Sequence, residues 1–247
     1  MIWKPRVYFL IACPSNLEYI EHCNMPLTLI PTPIGHSDDF TLRGLAELRA
    51  ADHIIVEERK ESTRWLRAHG ITKGQYETLN EHSTAEDLSF LTEMCRTSKV
   101  ALITDCGTPG FCDPGADLVR RCRDEKIHVQ ALPGASSLMT LLSLSGERLD
   151  QFVFRGFLPV KTEEREPAWR ELQRETRAVV LLETPYRCRK WLNEAAQFLP
   201  DRRFLLALNL TQESEFVVEA LGRDLPGKVA PDKAELICLL LAKSPAR

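Results

Sequence analysis

At 247 residues, 44% hydrophobic and 27% charged, the chain has room for two cores of roughly 100–130 residues each, and its composition excludes a disordered polypeptide. A formal net charge of −3 excludes nucleic-acid binding driven by overall charge and leaves a local basic patch as the electrostatic route to such a partner. Eight cysteines, at positions 13, 23, 95, 106, 112, 122, 188 and 238, include no C-x-x-C pair and fall mostly in apolar runs. They read as buried free thiols of a reducing compartment.

Residues 1–26 are expected to be an N-terminal extension. Lys4 and Arg6 precede the apolar run Val7–Ala12, and Leu10-Ile11-Ala12-Cys13 imitates a lipoprotein cleavage box. That run of about six residues is shorter than the roughly 7–15 of a secretion signal and far too short to span a bilayer. A start at Met25 and a cytoplasmic protein with no membrane association are the expectation.

From Leu27 onward, apolar runs of strand length alternate with helical patterns, which predicts an α/β architecture. Strands are predicted at 27–31, 53–56, 100–104 and 128–132, and helices at 41–51, 62–69, 85–97, 114–126 and 136–145. Thr41 caps the first helix and Gly70 stops the second. These elements make a βα-repeating N-terminal domain over 27–146, and the polar, turn-rich segment 146–151 marks the expected boundary. The C-terminal domain, 151–247, is predicted to hold strands at 152–157, 178–183, 204–209, 215–220 and 235–242, with helices at 163–175 and 186–199. No helix of comparable length fits between the last two strands, which predicts a mixed sheet.

The most informative segment runs from Leu102 to Gly115. An apolar strand ends on Asp105 and enters a turn holding Gly107, Thr108, Pro109, Gly110, Phe111, Asp113 and Pro114. Glycines let a ligand approach the main chain, prolines stiffen the loop, and the carboxyl end of a strand is where α/β sheets bind ligands. Neither G-x-G-x-x-G nor G-x-x-x-x-G-K-[ST] occurs, so phosphate groups are not expected to anchor the main ligand. Cys106 and Cys112 have no neighbouring His and read as packing residues. His82 has no second His at ligand spacing, so no metal centre is expected. Arg64, Trp65 and Arg67 read as a helix face.

This segment resembles the D-x-G-T-P-x-x-x-D-P-G signature of the bacterial ribosomal RNA small-subunit methyltransferase I family, a branch of the tetrapyrrole methylase superfamily. The resemblance continues in order through Pro31-Thr32-Pro33-Ile34-Gly35, Leu132-Pro133-Gly134-Ala135-Ser136-Ser137, Phe154-Arg155-Gly156-Phe157-Leu158-Pro159 and Glu183-Thr184-Pro185-Tyr186-Arg187, and covers roughly residues 27–242. Departures occur at Glu57-Glu58-Arg59-Lys60, where the family has Glu-Asp-Thr-Arg, and at Asn209-Leu210-Thr211, where it has Arg-Glu-Leu-Thr. These are candidate substrate contacts, and Leu79-Asn80-Glu81-His82-Ser83, Glu183-Thr184-Pro185-Tyr186-Arg187 and Asn209-Leu210-Thr211-Gln212-Glu213 resemble a paralogous branch of the family.

The resemblance implies a two-domain, class III α/β methyltransferase that uses S-adenosylmethionine and forms a homodimer. It implies cofactor contacts at Ile34, Asp105, Thr108, Phe111, Gly134, Ala135, Ser136 and Leu158; Ser136 and Ser137 read equally as a helix cap. The implied acceptor is a ribose 2'-hydroxyl of small-subunit ribosomal RNA. Methyl transfer from a sulfonium needs no metal, and a general base adds about 10²–10⁴-fold for an alcohol acceptor. Asp105, Glu58 and Glu183, all at predicted strand ends, are the candidate catalytic carboxylates. Arg155, Lys161 and Arg187 are candidate phosphate contacts, and Tyr186 is a candidate stacking platform for a base. Two alternatives stand beside this reading: a tetrapyrrole C-methyltransferase, and a cofactor-binding paralogue without catalysis.

Overall fold

The computed structural model describes residues 27–72, 76–229 and 233–243; the expected extension at 1–26 lies outside them. The chain folds as two compact units. Of the described residues, one unit holds those at 27–30, 46–103 and 109–132, and the other those at 31–45, 104–108 and from 133 onward.

The first unit is a five-stranded, all-parallel sheet of order β3-β2-β4-β1-β5. Its strands are β1 (Leu27–Leu29), β2 (His53–Val56), β3 (Tyr76–Thr78), β4 (Val100–Leu102) and β5 (Val129–Ala131). Parallel strands covered on both faces read as continuous apolar runs, and β1 and β4 are buried at every position. Helix α1 (Leu42–Ala50) ends in this unit, which also contains α2 (Arg59–Ala68), α3 (Ala85–Thr97) and α4 (Gly115–Asp124). A capping box between Thr84 and Asp87 starts α3, with Thr84 N donating to Asp87 Oδ2 at 2.7 Å. Leu91 and Cys95 of α3 and Leu118 and Cys122 of α4 complete the core with Leu27, Ile55 and Leu102. Strand β3 is absent from the prediction: three half-buried residues with Glu77 at their centre carry no periodic signal.

The second unit is built on a mixed sheet of order β6-β7-β10-β8-β9, as predicted. It comprises β6 (Phe152–Phe157), β7 (Ala178–Glu183), β8 (Arg203–Leu208), β9 (Phe216–Leu221) and β10 (Leu236–Leu240). Only the β6–β7 pair is parallel. Period-two alternation gives each strand two faces. Phe204, Leu206, Cys238 and Leu240 pack with Trp169 of α6 (Thr162–Arg174) and Trp191 of α7 (Cys188–Phe198). Leu205, Ala207, Ile237 and Leu239 face Leu141 of α5 (Ser137–Leu144). Helix α5, which the sequence alone groups with the first four strands, therefore packs on the second sheet. Strand β6 carries a bulge between Phe154 and Gly156, with Gly156 at φ +68°, a conformation a residue with a Cβ rarely adopts.

Candidate functional site

Three loops of the second unit, Pro31–Gly35, Thr104–Thr108 and Pro133–Ser136, are tied together by hydrogen bonds. Thr32 N donates to Gly107 O at 2.9 Å and Gly107 N donates to Thr32 O at 3.2 Å, an isolated antiparallel bridge. Thr32 Oγ1 donates to Thr104 O at 3.1 Å, and Thr108 Oγ1 donates to Ala135 O at 3.1 Å. Six of the expected cofactor residues thus share one loop cluster: Ile34, Asp105, Thr108, Gly134, Ala135 and Ser136. Asp105 is exposed on it. Ser136 also caps α5, its Oγ accepting from Met139 N at 3.5 Å, so the capping and lining readings hold together.

Beside this cluster, within the same unit, lies a cavity of about 380 Å³. Ile34, Gly134, Ala135 and Ser136 form one side, Met139, Thr140 and Ser143 of α5 another, and Asp39, Thr41 and Thr211 complete it. Thr211 reaches the cavity from a strained loop. Its φ is +64° and that of Asn209 is +49°, and the left-handed region is a true outlier for a β-branched side chain. The loop is pinned from several sides: Thr211 N donates to Glu215 Oε2 at 2.7 Å, Gln212 Nε2 to Glu235 Oε2 at 3.1 Å, and Asn209 Nδ2 to Ser214 Oγ at 3.0 Å. Thr211 Oγ1 accepts from His36 N at 3.0 Å. Gly35 allows this approach, since a Cβ there would lie 2.5 Å from both Leu210 O and Thr211 Oγ1.

The remaining predicted residues are placed as follows. Glu58 and Phe111 belong to the first unit. Glu58 caps α2 by accepting from Lys60 N at 3.3 Å, and Phe111 is exposed on a turn organised by Asp113, which accepts from Gly110 N, Phe111 N and Gly115 N. In the second unit Glu183 is buried, and both its oxygens are engaged: Oε2 by Arg165 Nη2 at 2.8 Å, Oε1 by Arg187 Nη2 at 2.6 Å and by Thr184 N at 2.8 Å. Arg165, 2% exposed, also donates from Nε to Glu194 Oε2 at 2.7 Å and from Nη1 to Pro159 O at 3.0 Å. This network fixes the Leu158-Pro159 corner to the Thr184–Arg187 corner. Leu158 buries its side chain in the core.

Arg155 pairs with Glu171 at 3.1 Å and Lys161 with Glu164 at 3.9 Å, both on the surface. Tyr186 is 79% exposed, with Lys233 Nζ 4.6 Å from its ring centre.

Burial pushes the Cys188 thiol up to about 11, with Glu183 adding to the shift, and burial followed by the Asp113 charge raises Cys112. Cys188 therefore stays protonated and unreactive as a nucleophile at neutral pH. Among the described residues no group of three or more His, Cys, Asp and Glu side chains is arranged to hold a metal ion, and no helix is long and apolar enough to cross a membrane. Sequence reasoning did not single out Asp39, Thr41, Met139, Thr140 or Ser143 as site residues. The readable signal was the spacing of the N-cap Ser136 with Thr140 and Ser143, which puts three hydroxyls on one face of a mostly apolar helix.

The fold is shared with solved methyltransferase and synthase structures. A diphthine synthase matches with a TM-score of 0.68 at 17% identity over 88% of this chain and 90% of that one. A cobalt precorrin-4 methyltransferase of cobalamin biosynthesis matches with 0.63 at 15% over 88% and 95%. The model of the tetrapyrrole (corrin/porphyrin) methylases matches residues 26–226, and the chain belongs to that family of methyltransferases. Among its relatives, the ribosomal RNA small subunit methyltransferase I of Neisseria meningitidis serogroup A is 34% identical over 219 residues, covering 87% of this chain and 75% of that protein. The protein of the same name from Escherichia coli O157:H7 is 34% identical over 220 residues, covering 87% and 77%. That from Thermotoga maritima is 32% identical over 187 residues, covering 75% and 83%.

Proposed function

We propose that the protein transfers a methyl group from S-adenosylmethionine to a ribose 2'-hydroxyl of small-subunit ribosomal RNA. The observation that carries this reading is the hydrogen-bonded cluster of the three loops whose motifs match the family, opening onto a cavity of about 380 Å³, within the range of small-molecule sites. The donor set suits this cofactor: Ile34 and Met139 offer apolar surface, Gly134 and Ala135 offer backbone, and no phosphate-binding fingerprint is present. Bound there, the cofactor supplies an electrophilic methyl group.

The protein's own residues hold cofactor and acceptor in register, and orientation of this kind accounts for roughly 7–11 kcal/mol of a barrier. Asp105, exposed on the loop cluster, is proposed to take the proton of the ribose hydroxyl. Glu183, with both oxygens engaged by arginines, and Glu58, capping a helix, serve the scaffold instead. Tyr186 is proposed to stack on a base, with Arg155, Lys161 and Arg187 near the phosphates. Phe111 and Leu158 stay in the proposed cofactor set on the family motif alone. Binding then weakens with salt. A ribosomal RNA acceptor supports the further proposal of a cytoplasmic protein, and the family resemblance carries that of a homodimer, which light scattering of the purified protein tests.

The experiment is methylation of small-subunit particles from cells lacking the gene, with labelled S-adenosylmethionine and nucleoside mass spectrometry. A single 2'-O-methylated nucleoside is expected. Label on a base or a tetrapyrrole would refute the acceptor, and no turnover on any RNA would refute the enzyme.

A further inference from the structure

Strands β7 and β10 pair antiparallel, with Leu236 opposite Glu183 and Ile237 opposite Leu182. Carried past the end of the ladder, that register sets Lys233, before β10, opposite Tyr186, after β7. The side chains meet there: Lys233 Nζ lies 4.6 Å from the centre of the Tyr186 ring, within the range of a cation–π contact. Both segments are anchored. After β7, Thr184 N donates to Glu183 Oε1 at 2.8 Å, Arg187 N to Thr184 O at 3.0 Å and Arg187 Nε to Glu183 Oε1 at 2.7 Å. Before β10, Glu235 N donates to Asn209 Oδ1 at 2.9 Å and Gln212 Nε2 to Glu235 Oε2 at 3.1 Å.

Tyr186 is 79% exposed, so the ammonium on one face of its ring leaves the other face open to solvent. Among the described residues no carboxylate pairs with Lys233, whereas Lys161, Arg187 and Lys190 of the same unit each meet a glutamate. Its charge is thus not cancelled by a partner acid and can attract an anion. An open aromatic face beside such a cation fits a nucleotide, whose base stacks on the ring and whose phosphate pairs with the ammonium. An acidic peptide would use the ammonium and leave the ring face empty. The contact also holds the ring in place before a ligand arrives, which removes part of the ordering cost of binding.

We infer that Lys233 is an RNA-contacting residue and that, with Tyr186, it forms a two-part clamp on one nucleotide: a base on the open ring face and a flanking phosphate on the ammonium. The inference rests on the RNA methyltransferase reading above, in which Tyr186 stacks on a base, and gives that ring its phosphate-binding partner.

Lys233→Ala, Lys233→Arg, Tyr186→Leu, Tyr186→Phe and the double variant Tyr186→Leu/Lys233→Ala test it in the full chain. Both side chains are exposed, so the variants are expected to keep the wild-type melting temperature. Each is titrated against a fluorescein-labelled single-stranded oligoadenylate, with anisotropy read across a KCl series, and its KM for small-subunit particles is measured. Tyr186→Leu is expected to weaken the Kd about tenfold and leave the slope of log Kd against log salt unchanged. Lys233→Ala is expected to weaken it about threefold to tenfold and to reduce that slope by about 0.7, the value for one phosphate contact on a single strand. Lys233→Arg and Tyr186→Phe, which keep the charge and the ring, should recover binding to within about twofold of wild type. The double variant should lose less than the product of the two single losses, because each half of the clamp fixes the other. Losses that multiply in full would mean independent contacts, and a salt slope unchanged in Lys233→Ala would mean no phosphate there; either overturns the clamp. A lower slope in Lys233→Ala with wild-type affinity in Tyr186→Leu would mark a general anion site and overturns it too. If wild type methylates the particles and Lys233→Ala keeps its KM, the clamp falls and the reading beneath it stands; if wild type binds S-adenosylmethionine and methylates no RNA, the reading itself falls.

Discussion

Replacing Glu183 by Gln removes one charge from the most enclosed ion network of the second unit and changes almost no volume. Glu183 and Arg165 are 0% and 2% exposed at the side chain, and Arg165 keeps only Glu194 as a carboxylate partner once the charge is gone. The Gln amide also presents its NH₂ group to one of two arginines that previously met a carboxylate oxygen, at 2.8 Å for Arg165 and 2.6 Å for Arg187. Breaking a buried pair by removing one partner costs about 3–5 kcal/mol, because the remaining charge is uncompensated. At about 2–4 °C per kcal/mol for a chain of this size, the melting temperature falls by about 6–20 °C. Trp169 and Trp191 sit in the adjoining core and report the transition by fluorescence. Glu219→Gln is the control: its pair with Arg203 is about half exposed, at 44% and 53%, and such pairs contribute at most about 1 kcal/mol. Equal and small shifts in the two variants would refute the reasoning that burial, rather than pairing as such, sets the size of the effect.

Asp105→Asn is expected to lower kcat by about 10²-fold or more if Asp105 accepts the ribose proton, with melting temperature unchanged; retention of kcat in single-turnover assays would remove it from that role. The Glu175 carboxylate, bonded first by the Arg177 guanidinium and then by the Arg177 amide, is held at about 2 against an ordinary 4.5. A depressed acid stabilises the fold above its unfolded value and loses that contribution as pH falls toward the folded one. Wild type should therefore exceed Glu175→Gln in stability at pH 7 and meet it between pH 4.5 and about 2, by a small amount because Arg177 is more than half exposed. Of the described cysteines, Cys106 and Cys112 are exposed and Cys95, Cys122, Cys188 and Cys238 are buried. Maleimide labelling of the native protein, mapped by peptide mass, should mark only the first two, with Cys112 faster as pH rises, and early labelling of the others would show a looser core. Gly35→Ala places a methyl 2.5 Å from Leu210 O and Thr211 Oγ1, so the 210–212 loop must shift; a loss of methyl transfer exceeding the loss of stability is expected.

The elements were legible wherever burial imposed a period. Strands β7, β8 and β10 alternate between two packed faces, and α4, carrying Leu118 and Cys122 on its buried side, falls within one or two residues of the predicted 114–126. The mixed sheet followed from a chain-length argument, the lack of a helix of comparable length between β9 and β10, where the described residues hold only the four-residue helix Leu225–Lys228. What escaped was whatever lacked periodicity or depended on partners far along the chain. Strand β3 is a three-residue edge, and α5 is apolar enough to pack on either sheet; only Leu141 against Val180 and Leu239 shows which it chose.

The same division runs through the candidate site. Loop motifs are local, so the clustering of Ile34, Thr108 and Gly134 was readable before any coordinates. A carboxylate at a strand end looks alike in sequence whether it faces a ligand or an arginine. Glu183 and Asp105 both end predicted strands, yet one is enclosed by Arg165 and Arg187 from α6 and the turn before α7, and the other is exposed on the loop cluster. The arginine that decides between them lies 18 residues from Glu183, and no spacing rule links a strand end to a helix face at that distance. Thr211 shows the complementary case: its hydroxyl becomes a site group only because Gly35, 176 positions earlier by number, has no side chain to keep the loop away.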